Sequence, residues 1–582
     1  MLKTLGAQIK EFKKDSLITP VFMILEVLME TIIPLMMASI IDDGVEAGDI
    51  HHIYVTGAFM VLVAFFSLFC GAMGGKYGAS ASTGFARNLR KAMYENIQTF
   101  SFSNIDKFST AGLVTRLTTD VTNLQNAYQM LLRMCVRAPF SLICAMIMAF
   151  FINAKLACIY LIAVIILGAV LAVITVRAHH YFMEAFPKYD DLNASVQENV
   201  SAIRVVKAYV REDYEKKKFT TASQNLYRMF QKAEGILAFN NPAMMITVYS
   251  CIIAISWLGA KMIVGSTLTT GELMSLLTYC MNIMMSLMML SMVFVMLTMS
   301  IASAERICEV LTETSDIVNP EDPEYEVADG SITFDHVTFR YNPTSDTPVL
   351  SDINLSIASG ETIGIIGGTG SSKSSLVNLI SRLYDVNEGS VSVGGRDVRS
   401  YDLDTLRNEV SVVLQNNVLF SGTIYENLRW GDENATDEEC RHACALACAD
   451  EFIERFPDGY NTYIEQGGSN VSGGQKQRLC IARALLKKPK ILILDDSTSA
   501  VDTATDAKIR RAFAEEIPNT TKLIIAQRIS SVEHADRIVV LNNGVIDGVG
   551  THKELLANNA IYRDVYESQT SGSGDFDEGG AA

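Results

Sequence analysis

Six long apolar stretches constrain the fold of this chain more than any other feature. They run from Leu17 to Ile41, Ile53 to Gly75, Ala138 to Ala154 and Leu156 to Val176, then within Gly235 to Ala260 and within Leu273 to Ala304. A hydrocarbon layer about 30 Å thick takes about 20 residues of helix to cross. No water is present there to bond a bare N–H or C=O, so each stretch must satisfy its own backbone as a helix. The composition agrees: 49% of the 582 residues are hydrophobic and only 19% are charged. A net charge of −17 argues against a nucleic-acid partner, since phosphate binding needs a basic surface.

The basic residues orient the spans. Eight Lys/Arg lie from Lys76 to Arg137 and ten from Arg177 to Lys232, whereas the other three connections hold none, Lys155 alone and Lys261 alone. The positive-inside rule then expects both termini and the two long connections in the cytosol of a multi-pass cell-membrane protein. Residues 1–16 place Leu2, Leu5, Ile9 and Phe12 at helical spacing with Lys3, Lys10, Lys13 and Lys14 between them. That pattern predicts an amphipathic elbow helix on the membrane surface. The membrane domain is expected over 17–310, and residues 311–328 read as an acidic, Pro-containing linker. The 11 cysteines show no disulfide framework. Cys440, Cys444 and Cys448 recur every four residues near His442, yet no second ligand pair is spaced to close a tetrahedral metal site. One buried helix face accounts for them.

The last third of the chain changes character. In TIGIIGGTGSSKSSLVNLI a short strand runs into a Gly-rich turn, a lysine, two hydroxyls and a helix. Backbone N–H groups of Gly367, Gly368, Thr369, Gly370, Ser371 and Ser372 suit a phosphate cradle. Lys373 would reach the β/γ-phosphates and Ser374, followed by Ser375, a magnesium ion. About 120 residues on, the apolar run ILIL ends in Asp495 and Asp496. A buried parallel strand directs such acids into the crevice where open α/β sheets bind ligands, and there Asp495 can hold magnesium.

Between these halves lies VSGGQ, residues 471–475. This ordered set resembles the nucleotide-binding domain of ATP-binding cassette (ABC) proteins, over roughly residues 329–569. Six spans, two long cytosolic extensions and one C-terminal cassette resemble the exporter-type ABC half-transporter. The resemblance implies an α-helical polytopic membrane domain followed by an α/β P-loop NTPase domain, an ATPase coupled to transport, with ATP and Mg2+ as cofactors. It implies that Tyr341 stacks on adenine, that Gln415 contacts the γ-phosphate side and the metal with Ser374 and Asp495, and that Asp502 belongs to the loop after the acidic strand. It further implies that Ser472, Gly473, Gly474 and Gln475 close on ATP held by a second subunit. The family's spans end in short coupling helices on the cassette; residues 108–121 resemble the first of these, and residues 198–219 lie near the second. After Gln569 the Gly/Ser/acid-rich tail, 570–582, has the composition of a disordered segment.

Three departures from the family's pattern carry most of the functional information. Asp496 stands where active cassettes have the glutamate that polarises water, and a displacement on the order of 1 Å costs about 10²-fold in a positioned reaction. Gln527 stands where the switch histidine is expected; it hydrogen-bonds but carries no proton charge. Ser372 replaces a P-loop glycine, at a cost of roughly 1–2 kcal/mol if that backbone needs positive φ. A weakened Walker side beside an intact signature resembles one subunit of bacterial heterodimeric multidrug exporters, which implies a second half-transporter as partner and a hydrophobic small-molecule substrate met in membrane lipid. A homodimeric lipid or peptide exporter and an ATP-gated channel or regulator stay open at this point. In the membrane, Glu26 and Glu30 lie four apart on one face of the first span, either as a cation- or proton-related site or as a pair satisfied by neighbouring helices. Met281, Met284, Met285, Met288, Met289, Met292 and Met296 mark the sixth span, much of it on one side, either as an adaptable substrate surface or as ordinary packing.

Overall fold

The computed structural model describes residues 1–342, 345, 347–368, 370–496 and 501–571. Thr369 and the tail from 572 lie outside the described residues. Among those described, six helices are long and apolar enough to cross a membrane: span 1, Lys10–Glu46; span 2, Ile50–Gln98; span 3, Thr110–Ile152; span 4, Ala154–Ser201; span 5, Glu212–Val264; span 6, Thr270–Thr312. Each outruns the apolar stretch that announced it. Span 2, at 49 residues, is about 73 Å long at 1.5 Å per residue, more than twice the hydrocarbon thickness. Its start is fixed by Asp49, whose carboxylate accepts from the His52 N–H, and span 6 starts on a capping box of Thr269 and Glu272.

The chain divides into two units. The first comprises Met1–Thr99 and Phe108–Glu313; the second comprises Phe100–Lys107 and everything from Thr314.

In the first unit, buried hydroxyls find backbone partners, as a water-free interior requires. The Tyr160 hydroxyl donates to the Leu276 carbonyl at 2.6 Å, Tyr279 to Thr31 at 2.6 Å and Ser275 to Pro34 at 2.6 Å. Together these bonds tie spans 1, 4 and 6. The N-terminal segment docks on span 2: Asn88 donates to the Gln8 carbonyl at 3.1 Å, Arg87 pairs with Glu11, and the Arg87 guanidinium lies 5.2 Å from the Phe12 ring centre.

The second unit holds a four-stranded sheet, a six-stranded sheet and a short antiparallel pair, β7 (Gly422–Thr423) with β8 (Tyr463–Ile464). The antiparallel four run β2 (Leu350–Ile357), β1 (Ile332–Phe339), β4 (Glu388–Val393), β5 (Arg396–Asp397). The six run β12 (Val545–Gly550), β11 (Arg537–Asn542), β3 (Thr362–Ile366), β10 (Thr521–Ile525), β9 (Ile491–Asp495), β6 (Val410–Val413), all parallel except the β11–β12 pair. Strand β9 is buried at every position because both faces are covered. Ile491 and Ile493 enter one apolar cluster while Leu492 and Leu494 enter the other. Cys440, Cys444 and Cys448 join the second of these clusters as small apolar residues. The expected linker carries little regular structure but is fastened to this unit: Glu324 N–H donates to Ser400 at 2.9 Å, Asp402 N–H to Glu324 at 3.0 Å, and Val327 is buried.

One expectation is corrected here. Residues 108–121 resembled the first coupling segment, but they form helix Thr110–Thr115 and a π-helical stretch, Arg116–Asp120, inside the first unit. The segment that packs within the second unit is the preceding one, Phe100–Lys107, with its helix Phe102–Phe108. The physical reason is side-chain chemistry: Ser101 and Ser103 both donate to Asp316, and the Phe102 ring packs against that of Tyr384.

Gly84 permits the N-terminal docking, since a Cβ there would sit 2.3 Å from the Phe12 ring. Gly84→Val is expected to push that segment off span 2 and cost about 1–3 kcal/mol, the usual range for overpacking. Thermal unfolding in detergent, with limited proteolysis at residues 1–16, checks this.

Candidate functional site

The parallel register sets the site. Ile525 of β10 pairs with Asp495 of β9 on one side and with Ile365 of β3 on the other. The residues that follow these three strands, Asp496, Gln527 and the loop from Gly367, therefore emerge at the same sheet edge.

The loop after β3 closes on its own lysine. Lys373 Nζ donates to the carbonyls of Gly367 at 2.8 Å and Gly368 at 2.9 Å, and lies 3.3 Å from the Ser371 hydroxyl. Gly367 cannot carry a side chain, because a Cβ would meet the Leu541 carbonyl at 2.2 Å. Gly370 turns at φ +83. Ser372 stands at φ 73, ψ 24, the left-handed region where a side chain is strained. Burial lowers the Lys373 ammonium below the ordinary lysine value, against the pull of Asp495 and Asp496. Burial raises the Asp495 carboxyl, and Asp496 adds to this; the Ser374 hydroxyl bonded to it and the Lys373 charge work the other way. Ser374, Asp495 and the exposed Gln415 after β6 present hard oxygen donors, the chemistry magnesium selects.

The two departures from the family's pattern meet. Gln527 Nε2 donates to Asp496 Oδ2 at 2.9 Å, and Asp496 stands at φ 49. Nothing in the sequence pointed to Gln569, which holds the Gln527 backbone in place: its Nε2 donates to the Gln527 carbonyl at 2.8 Å and its Oε1 accepts from Ile529 N–H at 2.9 Å. His534 is a surface residue, its side chain 81% exposed.

Tyr341 is half-exposed, its hydroxyl 2.9 Å from that of Ser375 and its ring edge-on to Phe339. Ser472 caps helix Gly473–Leu486 through a reciprocal box: the Ser472 N–H donates to Gln475 Oε1 at 2.8 Å, and the Gln475 N–H donates to Ser472 Oγ. The cap leaves Ser472 and Gly473 exposed at a helix N-terminus, with Gly474 and Gln475 partly covered, an arrangement suited to phosphate. Asp502 caps helix Thr503–Glu516, and the Thr505 N–H holds its carboxyl below the usual range.

In the membrane unit Arg137 engages both acids of span 1, Glu26 at 2.7 Å and both oxygens of Glu30 at 2.8 and 2.9 Å. Neighbouring span 3 thus supplies the cation that two acids within a span require. Met281, Met285, Met288 and Met292 are exposed along one face of span 6, while Met284 is buried.

Two family models match: "ABC transporter transmembrane region" over residues 16–301 and "ABC transporter" over 350–499. An uncharacterized ABC transporter ATP-binding protein, YfiB of Bacillus subtilis (strain 168), is 37% identical over 94% of this chain and 95% of its own length. A probable multidrug resistance ABC transporter ATP-binding/permease protein, YheI of the same organism, is 34% identical over 83% of this chain and 82% of its own. An ATP-dependent lipid A-core flippase of Desulfotalea psychrophila is 33% identical over 83% and 84%. A bacterial Atm1-family ABC exporter solved with ATP bound superposes with a TM-score of 0.83 at 24% identity, covering 96% of this chain and 99% of that one.

Two outcomes follow from this geometry. Ser372→Gly removes the left-handed penalty and should stabilise the cassette by about 0.5–1 kcal/mol after the entropy of glycine is subtracted, read as a higher midpoint in thermal unfolding. Arg137→Met leaves two acids without a cation and should cost about 3–5 kcal/mol; adding Glu26→Gln and Glu30→Gln should recover most of that loss in the same assay.

Proposed function

This chain belongs to the ABC exporters as a half-transporter whose ATPase is coupled to transport, and from that premise we propose that it works beside an unlike second half-transporter. In this reading its own Walker residues hold ATP and Mg2+ at a slow site, while Ser472, Gly473, Gly474 and Gln475 complete the fast site on the partner's ATP. Both termini face the cytosol of the cell membrane, and the cargo is a hydrophobic or amphipathic, drug-like compound taken from the lipid phase.

The observation that carries this is the bond between Gln527 and Asp496. A carboxylate one methylene short of the usual glutamate is already engaged by an amide that cannot take up a proton, so neither group is free to polarise a water as the pair of the family's pattern does. The strained Ser372 adds a second reason for slow chemistry at this loop. Magnesium, when bound by Ser374, Gln415 and Asp495, would neutralise charge on the phosphates. The signature side carries none of these defects: its donors are capped, exposed and ordered at a helix start.

The open methionine face of span 6 supports an adaptable cargo surface. One relative is named for multidrug resistance and another as a lipid A-core flippase; the second name supports lipid as the cargo of the alternative reading, a homodimeric exporter.

Steady-state ATPase of the chain co-purified with its partner separates the two. Losing one preorganised donor typically costs about 10²–10³-fold, so Ser472→Gly, which keeps most of the helix cap, and Gly473→Asp are expected to abolish most turnover. Asp496→Asn should leave activity within about twofold, because turnover does not pass through that group. A larger loss from Asp496→Asn than from the signature variants would make this chain's own site the working one and favour the homodimer.

A further inference from the structure

Tyr384 was singled out by no motif, yet it sits at the junction of two functional parts. Its ring centre lies 5.0 Å from that of Tyr341 at an interplanar angle of 85°, an edge-to-face contact. Phe339 closes the cluster, 4.8 Å from Tyr341 and 5.7 Å from Tyr384. On its other side Tyr384 meets the segment Phe100–Lys107: its ring lies 6.0 Å from Phe102, and its hydroxyl donates to Asp106 Oδ2 at 2.8 Å. All of these residues belong to the second unit.

The segment that Tyr384 touches is anchored elsewhere by short polar contacts. Ser101 and Ser103 donate to Asp316, and Asn104 donates to the Thr314 carbonyl at 3.3 Å. Along the chain it is bounded by span 2 on one side and span 3 on the other, so a shift of this short helix acts on the ends of two membrane helices. Asp106 is exposed, and its bond joins it to the same Tyr384 whose ring meets Tyr341. Burial and the Asp106 carboxylate push the Tyr384 phenol above its ordinary range, which keeps it a donor at neutral pH.

We propose that Tyr384 is a positioning residue that reports adenine on Tyr341 to the segment Phe100–Lys107 through its ring edge and its hydrogen bond to Asp106. The proposal rests on the reading of Tyr341 as the adenine platform. Tyr341 offers a half-exposed face to a base, and among the described residues it contacts Phe339, Tyr384 and the Ser375 hydroxyl. A base stacked on that ring fixes its tilt. An edge-to-face pair at 85° converts tilt into displacement of the second ring, and the Tyr384 hydroxyl carries that displacement to Asp106. Tyr384 touches neither phosphate nor cargo in this account; it sets how strongly one responds to the other.

Hydrogen–deuterium exchange of the full-length chain in lipid nanodiscs, with and without MgATP, tests this. In the wild type, ATP should protect amides of the loop 366–376 and slow exchange across 100–108. In Tyr384→Phe and in Asp106→Ala the loop should still be protected, while the response of 100–108 falls at least about fivefold, as loss of one charge-assisted hydrogen bond allows. The double variant should fall no further than the singles. Tyr341→Ala should abolish the response of 100–108 to ATP. An unchanged response in both single variants overturns the proposal. So does fast exchange of 100–108 before ATP is added, which would make Tyr384 a simple clamp, and so does a wild type whose loop is protected while 100–108 stays silent. Failure of ATP to protect the wild-type loop would instead overturn the adenine reading itself and the proposal with it.

Discussion

The parallel pairing of β10 between β3 and β9 is the constraint on which the rest of the cassette depends. Four to five rungs on each side fix Ile525 level with both Ile365 and Asp495. A slip of one residue would reverse every side chain between the two apolar clusters, so the register is held by burial on both faces. Its consequence is chemical. The phosphate loop, the strand-end acids and the Gln527 loop leave the sheet at one edge, and no single local sequence decides their geometry. Lys373 then completes the loop from within, tying carbonyls of Gly367 and Gly368 to a partly buried ammonium.

Strain collects at this edge. Ser372 and Asp496 both stand at positive φ, at 73° and 49°, where side chains cost free energy that the surrounding structure must offset. The signature helix begins without any such cost: Ser472 and Gln475 satisfy each other's backbone N–H groups and present the turn outward. In the reading proposed above, these are the chain's compromised half-site and its relaxed one. In a two-subunit machine whose sites each combine one phosphate loop with the opposite signature, these halves serve different ATP molecules. That division is the physical basis for assigning slow and fast roles.

How much of this was legible in the sequence depended on whether the signal was local. Spans declared themselves because hydrocarbon admits only runs of apolar residues, although their polar continuations did not: span 2 runs on to Gln98, well past Gly75. The phosphate loop and acidic strand were legible because cradle, lysine and acids have fixed spacings. The segment that packs within the second unit was misplaced by several residues because its anchor, Asp316, lies 215 and 213 positions beyond Ser101 and Ser103. Gln569 gave no signal at all, being one glutamine at the end of a polar helix. Glu26 and Glu30 were visible as acids in a span, but their common partner Arg137 lies 111 and 107 residues on, and only the pairing of spans 1 and 3 identifies it. The pattern of residues did locate the departures at Asp496 and Gln527; that they bond to each other is a fact of the fold.

The central claim is that ATP sits on this chain's phosphate loop while turnover proceeds at the other site. Nucleotide retention measures it directly. The assembled transporter is loaded with radiolabelled, photoactivatable ATP, chased with unlabelled ATP through many turnovers, then crosslinked, and the label on each subunit is counted. The account predicts that label on this chain survives the chase as unhydrolysed triphosphate while the partner's is lost. Rapid loss of triphosphate from this chain, at the rate of overall turnover, would contradict it.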